Sequence, residues 1–337
     1  MKLSKRYLSV LLLSIACLML PAQNEWDDVS ITQVNRETAH TLSIPFGSEQ
    51  NALEGKVLEE SPWFLSLNGV WKFKWAPDPA RKPADFQSSS FDVSAWDNID
   101  VPSVWQVYGV RNGKNWDKPL YVNFRYPFTY TGTYSVMADR PSDWTYNNNM
   151  KNPVGSYRRS FTLPGNWKGR DVYIRFNGAG PGYYLWINGK QVGYSEDSYL
   201  PSEFKITDYI HAGENTIAVQ VYRFTSGSFL ECQDYWRLTG ISRDVFVWSA
   251  PKTQIRDYFF KTDLDEEYKN AQVTIDVKLT GKALKGAKIQ AVISKNGATV
   301  ARQTLDNAVV GNNTLTFTVE NPDKWSAETP DLYDLTL

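Results

Sequence analysis

The chain has 337 residues, enough for two domains that each bury a core of their own. Its formal net charge is -1, from 36 basic and 37 acidic side chains, which argues against a nucleic acid or an anionic membrane surface as partner. Its 13 Trp, 19 Tyr and 16 Phe form a heavy aromatic load, and such rings pack β-sandwich cores and also stack on the apolar faces of sugars.

Residues 1–22 have the pattern of a signal peptide. The basic residues Lys2, Lys5 and Arg6 precede an apolar run over 7–20, and a small residue at Ala22 suits cleavage after it. The apolar run is too short to favour a stable membrane span. We therefore expect an exported, periplasmic protein with no membrane span.

The cysteines add little to this picture. Cys17 raises the alternative of a lipoprotein, but Ser14 is a poor match to the apolar residue expected three places earlier. After cleavage only Cys232 remains, so the mature chain can form no internal disulfide. With His40 and His211 as the only histidines, a Cys/His metal cluster is also excluded.

Residues 23–60 are polar and lack sustained periodicity, which predicts an extended arm. A first domain is predicted over 61–250. Near its start, aromatic residues occupy every second position of 71–75, a pattern typical of a strand with one apolar face. Asn68-Gly69, just before them, predicts a hairpin turn.

The rest of the first domain predicts short strands joined by turns, with no convincing helix. Residues 172–176 alternate in polarity, and 183–187 and 190–194 flank the dipeptide Asn188-Gly189, which predicts a type I′ hairpin. Many strands at roughly ten-residue spacing describe a β-sandwich or jelly roll.

A second domain is predicted over 251–337. Apolar residues alternate over 273–279, 289–293 and 315–319, and a unit of this size with several short strands suits an immunoglobulin-like sandwich. The last residues, 331–337, have the pattern of a strand without a stop signal after it. We therefore expect the chain to be truncated.

The stretch from Phe229 to Asp244 mixes charges with large apolar side chains. Asp234 and the arginines Arg237 and Arg243 lie in sequence beside Trp236 and other apolar residues. Charges in such surroundings must be paired or hydrogen-bonded. Two interpretations stay open: a structural Arg–carboxylate network that braces a loop, and the polar edge of a pocket for a hydroxyl-rich ligand.

A series of ordered motifs from about residue 61 to the end resembles the N-terminal part of the large bacterial β-galactosidases of glycoside hydrolase family 2. That resemblance implies an all-β chain, in which a jelly-roll sugar-binding domain is followed by an immunoglobulin-like sandwich. The motifs are V-P-S-V-W-Q (101–106), Y-V-N-F-R-Y-P-F (121–128), F-N-G-A-G-P-G-Y-Y-L-W-I-N-G-K-Q-V-G-Y-S-E-D-S-Y-L-P-S-E-F (176–204), A-G-E-N-T-I-A-V-Q-V (212–221), E-C-Q-D-Y-W-R-L-T-G-I-S-R-D-V (231–245) and N-P-D-K-W-S-A-E-T-P-D-L-Y (321–333).

The resemblance implies a retaining enzyme that cleaves terminal β-galactosides through a covalent galactosyl-enzyme. Its acid/base and nucleophile are two carboxyl groups about 5–5.5 Å apart. In this family both come from a (β/α)₈ barrel, and no βαβ alternation occurs in this sequence. We therefore expect no catalytic residue in this chain and no activity from it alone. Glu203, placed in a P-S-E-F turn, and Glu231 are not expected to be catalytic.

The resemblance assigns sugar contacts to two polar residues. By motif match these are Asn123, in Y-V-N-F-R-Y-P, and Asp234, in Q-D-Y-W-R. An asparagine can both donate to and accept from sugar hydroxyls, and an ionised aspartate accepts several hydrogen bonds. Asp234 also matches a ligand of a sodium ion, whose other ligands, like those of magnesium, are expected in the barrel. Arg237 and Arg243 are interpreted as bracing residues.

Trp236 supports the same stretch by offering a face for cation–π stacking. Each sugar contact has a structural alternative: Asn123 as a turn residue that satisfies backbone groups, and Asp234 as a partner of Arg237 or Arg243. For the whole chain, the alternatives are a sibling activity, such as β-glucuronidase or β-mannosidase, and a carbohydrate-binding module without catalysis. A β-galactoside oligosaccharide is the expected ligand, and the full-length enzyme is expected to form homo-oligomers.

Overall fold

The computed structural model describes residues 24–54, 57–121, 128–131, 142–146, 152–231 and 236–337. Strands dominate these ranges, and every strand pair described in them is antiparallel. The all-β prediction, with a jelly-roll sandwich followed by an immunoglobulin-like one, is confirmed. Across the described ranges, no helix is long and apolar enough to cross a membrane.

The first sandwich is built from short antiparallel strands. In chain order these are β1 (Gln33–Val34), β2 (Phe64–Ser66), β3 (Gly69–Ala76), β4 (Asp97–Val101), β5 (Ser103–Val104), β6 (Leu120–Tyr121), β7 (Phe128–Thr131), β8 (Ser142–Tyr146), β9 (Val154–Thr162), β10 (Asp171–Phe176), β11 (Ala179–Gly180), β12 (Gly182–Ile187), β13 (Lys190–Glu196), β14 (Ser202–Lys205), β15 (Glu214–Tyr222), β16 (Trp236–Arg237), β17 (Gly240–Ile241) and β18 (Val245–Ala250).

Two sheets enclose the main core. One has the order β1-β13-β12-β15-β9-β3-β4, and the other the order β14-β10-β18-β2. Apolar residues at alternate positions face inward, including Trp71 and Phe73 of β3, whose rings pack against Tyr157 of β9. Three smaller ladders, β11-β17-β5, β16-β6 and β7-β8, complete the pairing.

The Asn188-Gly189 hairpin is confirmed. Ile187 pairs with Lys190 across a two-residue turn, and both turn residues have positive φ, 51° and 79°, as a type I′ turn requires. Asn188 also accepts a hydrogen bond from the amide of Thr216, which ties the turn to β15.

The hairpin predicted at Asn68-Gly69 is wrong. The strand before it, β2, pairs with β18, whereas β3 pairs with β4 and β9, so the dipeptide connects two different sheets. The Asn68 side chain accepts from the amide of Val245 at 3.0 Å and donates to Asp244 at 2.8 Å. A turn dipeptide specifies a change of direction but not the partner of the next strand.

Two short helices, α1 (Glu49–Glu54) and α2 (Trp105–Arg111), were not predicted from the sequence. α2 buries Trp105, Gln106 and Gly109 on one face, but at seven residues with an internal glycine it is too short for a periodic signal. Single 3-10 turns occur at Glu25–Asp27, Leu58–Glu60, Pro79–Arg81, Gly165–Trp167 and Ser226–Phe229.

The second sandwich follows from residue 254. Its core contains the alternating residues of the three predicted strands, including Val273, Ile289 and Leu315. Its sheets have the orders β19-β20-β23 and β22-β21-β24. The strands are β19 (Gln254–Leu264), β20 (Ala271–Thr280), β21 (Lys288–Lys295), β22 (Ala298–Asp306), β23 (Gly311–Val319) and β24 (Asp334–Thr336).

The N-terminal arm contacts both sandwiches. Its strand β1 pairs with β13 at the edge of the seven-stranded sheet. Further along, the amide of Thr41 donates to Asp257 at 2.9 Å, and the Thr41 hydroxyl donates to the carbonyl of Tyr258 at 3.0 Å. Arg302 of β22 donates to Glu49 of α1 at 2.7 Å. The arm therefore connects the two cores through polar contacts.

Glu203 lies in β14 and not in a turn as predicted, because residues 202–205 pair with β10. Its carboxylate is 3% exposed and contacts His40 of the arm at 2.9 Å and Arg256 of β19 at 2.7 Å. It also accepts from the indole of Trp248 at 2.9 Å, and the guanidinium of Arg175 lies 3.7 Å away. Glu203 thus joins the arm to both sandwiches.

Candidate functional site

The two predicted sugar contacts, Asn123 and Asp234, lie outside the described residues. The segments that lead to them are described and are joined in β6 and β16. Trp236 pairs with Tyr121, and Arg237 pairs with Leu120. In sequence, Asn123 follows Tyr121 by two positions, and Asp234 precedes Trp236 by two. The described ladder therefore brings together the chain segments on which both candidates depend.

The predicted supporting residues Trp236 and Arg237 line a small cleft beside this ladder. Trp236 is 53% exposed, and Arg237 is partly buried. The same cleft is lined by Ser198, Arg223 and Glu231. Its walls thus carry a guanidinium, a carboxylate, a hydroxyl and an exposed indole, which are the groups that bind hydroxyl-rich ligands.

Arg223, which lines this cleft, belongs to a buried ion pair that sequence reasoning missed. Arg223, at the end of β15, is 5% exposed and contacts Asp117 at 2.5 Å. Burial lowers the pKa of the Arg223 guanidinium, and the charge of Asp117 opposes that shift. The two residues are 106 positions apart, and no local pattern in the sequence indicates their pairing.

Gln106 of α2 extends the pair to Thr239, in the segment between β16 and β17. Its amide nitrogen lies 3.3 Å from Asp117, and its amide oxygen accepts from the backbone N–H of Thr239 at 2.9 Å. The backbone N–H of Trp105 donates in turn to the carbonyl of Thr239. The unpredicted helix α2 therefore fixes the chain just after the candidate site.

Two carboxylates hold the chain just before the candidate site. Glu231 accepts from the backbone N–H of Ser198 at 2.7 Å and from its hydroxyl at 2.6 Å. Glu196, which is 4% exposed, accepts from the hydroxyl of Ser226 at 2.9 Å and from the backbone N–H of Gly227 at 2.7 Å. Sequence reasoning assigned no role to Glu196, which lies in the string S-E-D-S (195–198).

Burial raises the pKa of both carboxyl groups. For Glu196 the raised pKa is about 7, although hydrogen bonds from Tyr194, Ser226 and Gly227 favour the ionised form. For Glu231 burial also raises the pKa, and the hydrogen bonds from Ser198 oppose it. The charge of Glu231 adds to the shift at Glu196, so the two carboxylates are electrostatically linked.

Arg243 is exposed and contacts the cleft through Tyr199, one of the residues that line it. Its guanidinium donates to the carbonyl of Tyr199 at 2.8 Å and lies 6.0 Å from the centre of that ring. Its backbone N–H donates to the carbonyl of Gly178 at 3.2 Å. These contacts connect the segment after β17 to the turn that follows β13 and to the connection between β10 and β11.

The glutamates Glu203 and Glu231 are held by different groups. Glu203 contacts His40, Arg256 and Trp248, whereas the contacts of Glu231 described above are to Ser198. Among the described residues, no group of three or more His, Cys, Asp or Glu side chains is placed to hold a metal ion.

The sequence is similar to β-galactosidases. It is 35% identical over 330 residues to one from Priestia megaterium, in an alignment that covers 93% of this chain and 30% of that protein. It is also 35% identical over 325 residues to one from Leuconostoc mesenteroides, with 93% and 29% covered. The chain thus spans about 30% of the length of these relatives.

Solved structures share the fold. A β-glucuronidase from Bifidobacterium dentium, solved with coumarin-3-O-glucuronide, matches with a TM-score of 0.61 over 81% of this chain and 44% of that one. At 19% identity the likeness concerns the fold alone.

Family models cover almost all of the described sandwiches. The model for the sugar binding domain of the glycosyl hydrolases family 2 matches residues 64–251, and a second model of the same family matches residues 253–337. The first match spans more than half of the chain and includes β2 to β18, the cleft and both carboxylate contacts. This chain therefore belongs to glycoside hydrolase family 2.

Proposed function

We propose that this chain supplies part of the galactose-binding site and the scaffold of a retaining β-galactosidase. The observation that carries the proposal is the β6-β16 ladder, because it joins the segments leading to Asn123 and Asp234 beside a polar cleft. The similarity to proteins named β-galactosidase supports galactoside as the substrate class. The relatives are about three times longer, and we propose that both catalytic glutamates belong to the part that this chain does not cover.

In this proposal Asn123 and Asp234 bind hydroxyls of the galactosyl group. An ionised aspartate accepts two charge-assisted hydrogen bonds, each worth about 1.5–3 kcal/mol. Trp236 offers an exposed ring to the sugar, and the Arg223–Asp117 pair at the cleft keeps the wall in place. No residue of this chain attacks the anomeric carbon, so the chain alone is inactive.

For the full-length enzyme we further propose bound sodium and magnesium, with Asp234 as one oxygen ligand of the sodium ion. Hard oxygen donors suit both ions. We also propose export to the periplasm with cleavage after Ala22, and a homo-oligomeric assembly. The basic and apolar pattern of residues 1–22 supports the export proposal.

The test is the replacement of Asp234 by Ala and by Asn in the full-length enzyme, assayed with a chromogenic β-galactoside. Loss of two charge-assisted hydrogen bonds predicts that kcat/KM falls about 100-fold or more. Asp208→Ala, at an exposed position of the same sandwich, is the matched control and should leave kcat/KM unchanged.

The substrate class is decided with the wild-type enzyme on matched β-galactoside, β-glucuronide and β-mannoside substrates. Preference for the glucuronide or mannoside would replace galactosidase by a sibling activity. Absence of hydrolysis of all three would favour a binding protein. Unchanged kinetics for Asp234→Ala would refute the role of that residue.

A further inference from the structure

Two crossed contacts hold the segment 226–231 against the segment 196–198. Glu196, at the end of β13, reaches forward to Ser226 and Gly227 at the start of a 3-10 turn. Glu231, just after that turn, reaches back to Ser198. Each short segment thus contributes one carboxylate and one set of donors, and the two contacts fix both ends of the turn.

The turn itself leaves little freedom between these two contacts. The hydroxyl of Ser228 accepts from the backbone N–H of Thr225 at 2.8 Å, and the backbone N–H of Glu231 donates to the carbonyl of Gly227 at 3.1 Å. A Cβ on Gly227 would lie 2.5 Å from the Glu196 carboxylate, so the carboxylate approaches the backbone as closely as a glycine allows. The position of Glu231 therefore follows from that of Gly227.

We propose that Glu196 and Glu231 are positioning residues for the galactoside site, because their crossed contacts fix the chain three residues before Asp234. This inference rests on the proposed function, in which Asp234 binds the galactosyl group. On the other side of the segment, the β6-β16 ladder begins at Trp236. The carboxylates thus supply the first of two anchors that flank Asp234, and the ladder supplies the second.

Several groups from different elements surround the side chain and backbone of Glu196. Tyr194 on its own strand donates to the carboxylate at 2.6 Å, and Arg36 of the arm donates to the Glu196 carbonyl at 3.1 Å. Tyr184 of β12 and Tyr222 of β15 pack behind Tyr194. Glu231 is the acidic group that faces Glu196, and it adds to burial in raising the pKa of Glu196 to about 7.

A glutamine can reproduce the neutral form of Glu196. Its oxygen can accept from the backbone N–H of Gly227, while its NH₂ faces the hydroxyls of Ser226 and Tyr194, which can accept. Glu196→Gln should therefore hold the turn, whereas Glu196→Ala removes every contact. Comparison of the two variants therefore separates the effect of losing the contact from the effect of losing the charge.

The kinetic test uses full-length enzyme and a chromogenic β-galactoside. Misplacement of a binding group by about 1 Å costs up to about 100-fold in rate. We expect Glu196→Ala to raise KM by about 10-fold or more, and Glu196→Gln to stay within about threefold of wild type. A merely structural role would lower the amount of active enzyme, and hence apparent kcat, without a change in KM. Glu214→Gln, an exposed glutamate on β15, is the matched control.

Hydrogen exchange in the 337-residue chain tests the contacts without substrate. We expect the amides of residues 227–231 to exchange at least about 10-fold faster in Glu196→Ala, and no faster than in the wild type in Glu196→Gln. If Glu196→Ala does not fold, Ser198→Ala provides the smaller change, since it removes only one hydrogen bond to Glu231. Ser198→Ala should also raise KM and the exchange rate of these amides, by smaller amounts.

The outcomes separate this inference from the proposed function. If the wild-type enzyme hydrolyses the galactoside but Glu196→Ala and Ser198→Ala leave KM and exchange unchanged, the inference is overturned and the function stands. If the wild-type enzyme does not hydrolyse any β-galactoside, the proposed function fails, and with it the role toward galactose. The exchange data then still decide whether the carboxylates fix the segment.

Discussion

Replacement of Glu203 by Gln should destabilise the chain strongly, because it removes the carboxylate that Arg256, Arg175 and His40 share. Glu203 is buried, and its carboxylate lies 2.7 Å from Arg256 and 3.7 Å from Arg175. Glutamine keeps the shape and can still accept from Trp248. It leaves the guanidinium of Arg175 without the carboxylate and that of Arg256 with Glu37 alone, at 2.9 Å.

The magnitude follows from the cost of breaking a buried ion pair, about 3–5 kcal/mol. Because Arg256 keeps its contact with Glu37, we expect the lower end, about 3 kcal/mol. In a domain of 150–250 residues each kcal/mol corresponds to about 2–4 °C in melting temperature. The first sandwich should therefore unfold about 6–12 °C lower in the variant.

The pH dependence has a definite sign. Burial by itself raises the pKa of Glu203, but the hydrogen bond from His40 and the charge of Arg256 outweigh it, so the pKa lies below its ordinary value of 4.5. A carboxyl group of this kind contributes stability above the unfolded pKa and loses it as the pH falls through the folded pKa. The loss of melting temperature in Glu203→Gln relative to the wild type should therefore be largest at pH 7 and smaller at pH 3.5.

Scanning calorimetry of wild type, Glu203→Gln and the control Glu214→Gln, at both pH values, measures these differences. The control carboxylate is exposed and should change the free energy of unfolding by less than about 0.5 kcal/mol. A melting temperature for Glu203→Gln within 2 °C of wild type at pH 7 would show that the charge does not stabilise this junction.

Three further predictions concern the first sandwich. Gly155→Ala places a Cβ 2.7 Å from the ring of Trp105, and the overpacking should cost about 1–3 kcal/mol, measured by urea unfolding. Arg223→Met leaves Asp117 without its buried cation and should lower the urea midpoint by an amount equivalent to about 3 kcal/mol. For Glu196 the raised pKa is about 7, so its neutral form contributes stability below pH 4.5, and this contribution is lost as the pH rises through 7. Glu196→Gln keeps a neutral side chain at every pH. The free energy of unfolding of the variant minus that of the wild type should therefore increase by about 3 kcal/mol from pH 4 to pH 8, measured by urea unfolding at both values.

The sequence predicted those parts of the fold that depend on local patterns. Alternating apolar residues identified strands such as 172–176 and 273–279, and Asn188-Gly189 identified a hairpin, since these signals act between neighbouring residues. The same kind of signal failed at Asn68-Gly69, where the next strand pairs elsewhere. Pairing across a sheet is set by contacts between distant residues, which one sequence does not reveal.

The candidate site shows the same division. Motif resemblance pointed to the stretch around Arg237, and the cleft lies there. The groups that hold the cleft were missed, because Asp117 and Arg223 are 106 positions apart, and Glu196 and Ser226 are 30 apart. Burial determines their importance, and a charged residue in the sequence carries no sign of its burial.

The described residues that flank the segment 232–235 are both held by contacts to the first sandwich. Polar groups that bind a ligand must be held to within a fraction of an ångström, and loops do this poorly unless both ends are fixed. Here Glu231 and Trp236 are fixed by a carboxylate contact and by a β-ladder, and only four residues separate them. Both fixed points are tied to buried groups, Glu196 on one side and Gln106 on the other. The described residues on either side of 232–235 are therefore held by the core of the first sandwich. Under the proposed function, changes at Glu196 or Gln106 should affect galactoside binding more than changes at the exposed Arg243.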